Sequence, residues 1–118
     1  MDIEPTVNQV TPDDVEEVIS YCYYVTGYEA LRHCYFVNNE PRKDLESMTL
    51  CILVLSNGFI VVGKSACINP EAFDAEKGRE LAYADARRQI YPLLGFLLKT
   101  DMREEALEEE IMMALAEL

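Results

Sequence analysis

A chain of 118 residues, half of them apolar, has the length of one ordinary domain and can pack a core without disulfides or structural metal. Its 22 acidic and 10 basic side chains leave a net charge of −12. That balance excludes direct binding to nucleic-acid phosphates, which needs a basic footprint, disfavours anionic membrane surfaces, and favours a basic protein partner.

The start, Met1-Asp2-Ile3-Glu4-Pro5, is acidic and lacks the basic region and apolar run of a signal peptide, so the expectation is a soluble cytosolic protein. Charge is segregated. Residues 1–46 hold ten acids and three bases, residues 47–70 hold only Lys64, and residues 71–118 hold twelve acids and six bases. The reading is a single domain, 1–118, with an uncharged centre between acidic arms.

Thr11-Pro12-Asp13-Asp14 opens a helix: Thr11 caps it, Pro12 suits the first helical position, and Asp14 completes a short capping box. Val15, Val18, Ile19 and Cys22 share one helical face, which predicts a helix over about 12–24 closed by Gly27. The β-formers of Tyr21 to Thr26 blur its end. A short helix from Tyr28 to Cys34, a strand at Tyr35-Phe36-Val37 and a turn at Asn38-Asn39-Glu40-Pro41 are the expectations for the next stretch.

Thr49 to Cys67 is the most apolar segment. Asn57-Gly58 between two β-rich runs predicts a hairpin with a two-residue type I′ turn, pairing Leu55 with Ile60, Leu53 with Val62 and Cys51 with Lys64. One face then carries Cys51, Leu53, Leu55, Ile60 and Val62, the other Leu50, Ile52, Val54 and Val61. Neither is polar, so the hairpin needs cover on both sides. Asn69-Pro70-Glu71 starts the next helix, with Asp74 as a second cap. The row Gly78, Ala82, Ala86 lets that helix lie close to the sheet, and Gly63 marks the matching spot. Pro92 is expected to kink or divide the helix at Tyr91. Asp101 to Leu118 predicts an amphipathic acidic helix, with Met102, Leu107, Ile111, Leu115 and Leu118 as its apolar stripe.

No catalytic constellation emerges. The four cysteines form no CxxC pair, which makes free buried thiols the expectation and a zinc site at Cys22, His33 and Cys34 the poor alternative. Ser65-Ala66-Cys67 has no base beside it in sequence. The pattern calls for no cofactor and no metal.

Thr49 to Phe59, Gly63-Lys64-Ser65-Ala66-Cys67, Asn69 to Gly78, then Ala82, Ala86, Ile90 and Gly95-Phe96-Leu97-Leu98 together resemble a family of small phage proteins. The family takes its name from gene 49 of a coliphage and gene 66 of a Shigella phage. The resemblance covers residues 49–98. Lys64 stands where a glutamate is expected and Tyr91-Pro92 where a tryptophan-containing stretch is expected. The family implies a phage or prophage origin and supplies no catalytic residues.

The fold expected is α+β: a central antiparallel β-hairpin, with a third short strand allowed, packed by helices and ending in an acidic C-terminal helix. The function expected is a non-enzymatic accessory protein that binds and modulates a host protein with a basic surface. One version is an acidic DNA mimic that inhibits a nucleic-acid-binding defence component. The candidate partner-binding carboxylates are Asp13, Asp14, Glu16 and Glu17, and Glu104, Glu105, Glu108, Glu109 and Glu110. The alternative is a self-associating structural or regulatory module, with a homodimer covering the open hairpin face.

Overall fold

Thr11 caps the first helix as the sequence predicts. In this computed structural model, which describes residues 9–34 and 40–118, its hydroxyl accepts from the Asp14 N–H while its own N–H donates to the Asp14 carboxylate at 2.8 Å. The helix so opened, α1, spans only Pro12–Val18. The chain turns extended at Ile19 and continues as strand β1, Ile19–Thr26, where a helix to residue 24 is expected. The β-branched and aromatic residues prevail because a neighbouring strand supplies a full ladder of hydrogen bonds.

Thr26 caps α2, Gly27–Arg32, so Gly27 opens a helix instead of closing one. The expected strand at Tyr35-Phe36-Val37, and Asn38 and Asn39 of the expected turn, lie outside the described residues. A 3₁₀ turn, Lys43–Ser47, leads into β2, Met48–Leu55, which is followed by β3, Ile60–Ala66. The sheet is antiparallel in the order β1-β2-β3. The third strand is therefore β1.

The hairpin forms with a different turn. Leu55 donates its N–H to the Phe59 carbonyl and accepts from the Gly58 N–H, each at 2.8 Å, which makes a three-residue loop of Ser56, Asn57 and Gly58. Among the described residues only Gly58 has positive φ, at 87°, whereas a type I′ turn needs it at Asn57 as well. The Asn57 side chain instead accepts from the Phe59 N–H at 3.0 Å. The register shifts by one residue: Leu53 pairs with Val61 and Cys51 with Gly63. A one-residue shift turns every β3 side chain over. Cys51, Leu53, Leu55 and Val61 are buried on the inner face, while Ile60 and Val62 stand exposed outside with half-buried Leu50, Ile52 and Val54.

Asn69 caps a short 3₁₀ turn, Pro70–Ala72, and Asp74 caps the long helix α3, Ala75–Ala116. Gly78, Ala82, Ala86, Ile90 and Leu94 recur every four residues and are all buried against the inner sheet face. The small residues bring the helix down onto Gly63, where a Cβ would overlap the backbone of Ala82 and Ala86. At Gly78 a Cβ would lie 2.7 Å from the Thr49 hydroxyl, and the Gly78 carbonyl accepts from the Ser65 hydroxyl at 2.7 Å. The core is Val15 and Val18 of α1, the inner face of β2 and β3, and this row, with Leu53, Ile90, Val15 and Cys51 wholly enclosed. Each such aliphatic side chain contributes about 1.5–3 kcal/mol by leaving water.

Pro92 does not divide α3. It lies on the exposed side, where the one carbonyl it orphans, that of Arg88, faces water. At 42 residues and about 1.5 Å per residue, α3 is about 63 Å long and accounts for the 74 Å extent of the molecule. It runs well past the sheet. Among the described residues, no helix is long and apolar enough to cross a membrane.

Candidate interaction surfaces

The first acidic group divides on inspection. Asp14 is engaged in its cap. The Glu16 carboxylate accepts from the Tyr83 hydroxyl at 2.9 Å and from the Arg87 Nε at 2.7 Å, and Arg87 also donates to the Pro12 carbonyl at 3.0 Å. Arg87 lies over the Tyr91 ring, 5.8 Å from its centre. This set clamps α1 to α3. Burial and the Glu16 hydrogen bond push the Tyr83 hydroxyl up to about 12. Of the four candidates in α1, then, Asp13 and Glu17 remain exposed and unengaged among the described residues. The clamp is visible in the sequence only as the spacing of Tyr83, Arg87 and Tyr91, four residues apart.

The second acidic group is placed differently. Every residue from Lys99 to Leu118 is exposed, including Leu107, Ile111, Met112, Met113, Leu115 and Leu118. The apolar stripe expected in this segment forms as a helical surface but packs against nothing else described. Glu105, Glu108, Glu109, Met112 and Met113 together line one shallow hollow, so three acids run directly into two thioethers along that side. At about 100° per residue Glu110 points away from that side, and Glu104 falls beside Ile111 and Leu115. The separation into an acidic and an apolar face is therefore less complete than the sequence predicts.

The strand pair carries a thiol contact. The Cys22 and Cys51 sulfurs are 3.7 Å apart across β1 and β2. Cys51 is wholly buried, but Cys22 is exposed, against the expectation of buried thiols; Cys34 and Cys67 are half-buried. Burial, then the contact with Cys22, pushes the Cys51 thiol up to about 12 from an ordinary 9.0. It is a packed neutral group and not a thiolate nucleophile. The Ser65 hydroxyl is spent on Gly78, and the Cys67 thiol donates to the Asn69 carbonyl at 3.0 Å. Among the described residues no three His, Cys, Asp or Glu side chains gather in a metal-binding arrangement.

A raised acid pKa fixes a sign. Between pH 9 and about 12 the unfolded chain gives up the Cys51 proton and the folded chain keeps it. The stability this group contributes is whole below pH 9 and is lost as pH rises toward 12. Urea midpoints recorded from pH 8 to 11 are expected to fall more steeply for the native chain than for Cys51→Ala. Parallel slopes would mean that Cys51 titrates as it does in the unfolded chain.

The structure is an α+β protein with one long helix laid over a three-stranded antiparallel sheet and running beyond it. The chain belongs to the phage protein (N4 Gp49/phage Sf6 gene 66) family, whose model matches residues 10–102. The match is wider than the resemblance over 49–98, taking in α1 and β1, and it ends within α3, so residues 103–118 lie beyond it. No curated protein and no solved structure matches the chain.

Proposed function

We propose that the chain is a non-enzymatic phage accessory protein that acts in the host cytoplasm by docking the free end of α3 on a host protein with a basic surface. One observation carries this reading: about two-fifths of a long helix stands clear of the described fold, with its carboxylates and apolar side chains all in water. A helix of this length is marginal alone, and Glu104 with Glu108, and Glu105 with Glu109, place like charges four residues apart, which destabilises it further. A basic partner with an apolar groove relieves the repulsion and covers Ile111, Met112 and Leu115 together.

The charge density favours the DNA-mimic version. Glu104 to Glu110 set five carboxylates along about 9 Å of helix axis, roughly one per 2 Å, against one per about 1.7 Å in duplex DNA. The test is retention of host proteins on the immobilised chain. Nucleic-acid-binding proteins are expected, released by salt and by competing duplex DNA, and lost when Glu104, Glu105, Glu108, Glu109 and Glu110 are all changed to Gln. Release by salt but not by DNA would leave a basic partner without mimicry. Retention that ignores both salt and the Gln changes would end the reading.

A further inference from the structure

The two edges of the sheet are treated differently. On β3 two of the outward main-chain groups are taken by α3: the Lys64 N–H donates to the Asp85 carboxylate at 2.9 Å, and the Val62 carbonyl accepts from the Gln89 amide at 2.6 Å. The Lys64 N–H, then the Arg88 guanidinium, hold Asp85 below the usual carboxylate range, so it stays a charged acceptor. These two contacts obstruct the pairing of an added strand there.

On β1 the outward groups follow from the ladder. Leu55 bonds Phe59, so Leu55, Leu53 and Cys51 aim their main chain at β3, and Val54, Ile52 and Leu50 aim theirs at β1. Their partners Tyr21, Tyr23 and Val25 aim back, which leaves Cys22 and Tyr24 with N–H and C=O turned outward. Among the described residues no main-chain hydrogen bond reaches those groups. Tyr21, Cys22, Tyr23 and Tyr24 are exposed, and β1 carries no charge, no proline and no glycine.

We propose that β1 is a self-pairing edge: two copies of the chain join antiparallel along it, around a two-fold axis beside Tyr23, into a six-stranded sheet. The occupant is a second copy for three reasons. The outward pattern is self-complementary: Cys22 faces the second copy's Tyr24 and Tyr24 faces its Cys22. Two such pairs exchange four main-chain hydrogen bonds, and Tyr23 meets its own counterpart as a close pair on the open face. Next, chains that each carry −12 can approach closely only where no carboxylate intervenes, and β1 is such a place. Finally, Glu29 and Arg79 both line the surface at the Thr26 end of β1; Glu29 is paired with Arg32 at 3.8 Å, whereas Arg79 has no ion pair among the described residues. The antiparallel arrangement turns that end toward the start of the second copy's β1, which follows directly on its acidic α1.

Sedimentation or light scattering of the full chain at micromolar concentration is expected to give a dimer. Tyr24→Pro deletes an outward N–H and leaves the β1–β2 ladder intact, so a folded monomer is expected. Tyr23→Lys sets two cations beside the axis and is expected to weaken dimerisation more than about tenfold. Cross-linking tests the register without relying on a disruptive change. In a chain with Cys22, Cys34 and Cys67 changed to Ser, Tyr23→Cys is expected to form a disulfide-linked dimer with oxidised glutathione, and Tyr21→Cys is not. A monomeric native chain, a dimer unchanged by Tyr24→Pro, or equal cross-linking at both positions would overturn the proposal.

Discussion

Gly63→Ala is expected to destabilise the protein by about 3 kcal/mol, the upper end of what one added methyl does in a packed interior. The new carbon would overlap the carbonyl of Ala82 and the amide of Ala86. Both are main-chain groups held in the α3 ladder, so no rotamer change can make room. The helix must lift, and lifting it parts Leu53, Val61 and Cys51 from Ile90, because dispersion contacts fail within about 1 Å. Two other glycines calibrate the measurement. At Gly58 nothing lies within 4 Å of the added carbon, but φ is 87°, so alanine costs about 1–2 kcal/mol of backbone strain. At Gly95, inside α3 with open space around it, alanine is expected to stabilise by up to about 1 kcal/mol. Urea unfolding of the three variants should give that order. A Gly63→Ala midpoint level with Gly58→Ala would mean that helix and sheet are not in close contact.

The same glycine explains how much of the fold was legible. The caps at Thr11, Asn69 and Asp74 and the row Gly78, Ala82, Ala86 are local signals, and each is found where the residues put it. The hairpin register is not local. Asn57-Gly58 suits a two-residue loop and a three-residue loop alike, and the two differ in which face Gly63 joins. A two-residue loop puts Gly63 on the sheet face away from Cys51 and Leu53; only the three-residue loop puts all three under α3. Helix packing decided the turn, from some twenty residues away in sequence. The change from α1 to β1 has a similar cause: Val15, Val18, Ile19 and Cys22 fit helical spacing, but pairing with β2, about thirty residues on, outweighs it. Among the candidate carboxylates, sequence alone could not separate Glu16, committed to Tyr83 and Arg87, from Glu17, which is exposed.

Ile90 and Leu115 lie on one helix and differ only in what surrounds them, which makes them the sharpest test of where scaffold ends and docking surface begins. Ile90 is wholly enclosed in the core row, so Ile90→Ala removes its transfer free energy and leaves a cavity between α3 and the sheet, at a cost of about 2–5 kcal/mol. Against a total of about 5–15 kcal/mol for a domain, that shifts the urea midpoint strongly and can unfold the chain at physiological temperature. Leu115 is 58% exposed, so Leu115→Ala is expected to stay within about 0.5 kcal/mol of the native midpoint. The order should reverse for binding. With the proteins compared below their melting temperatures, the proposed docking of α3 makes Leu115→Ala expected to weaken retention of a host partner, because its side chain would be buried only in that complex, while folded Ile90→Ala retains it. A large stability loss at Leu115 would place the end of α3 in the core of the free protein. A retention loss at folded Ile90→Ala equal to that at Leu115 would move the docking surface off the free helix and onto the sheet-packed part of α3.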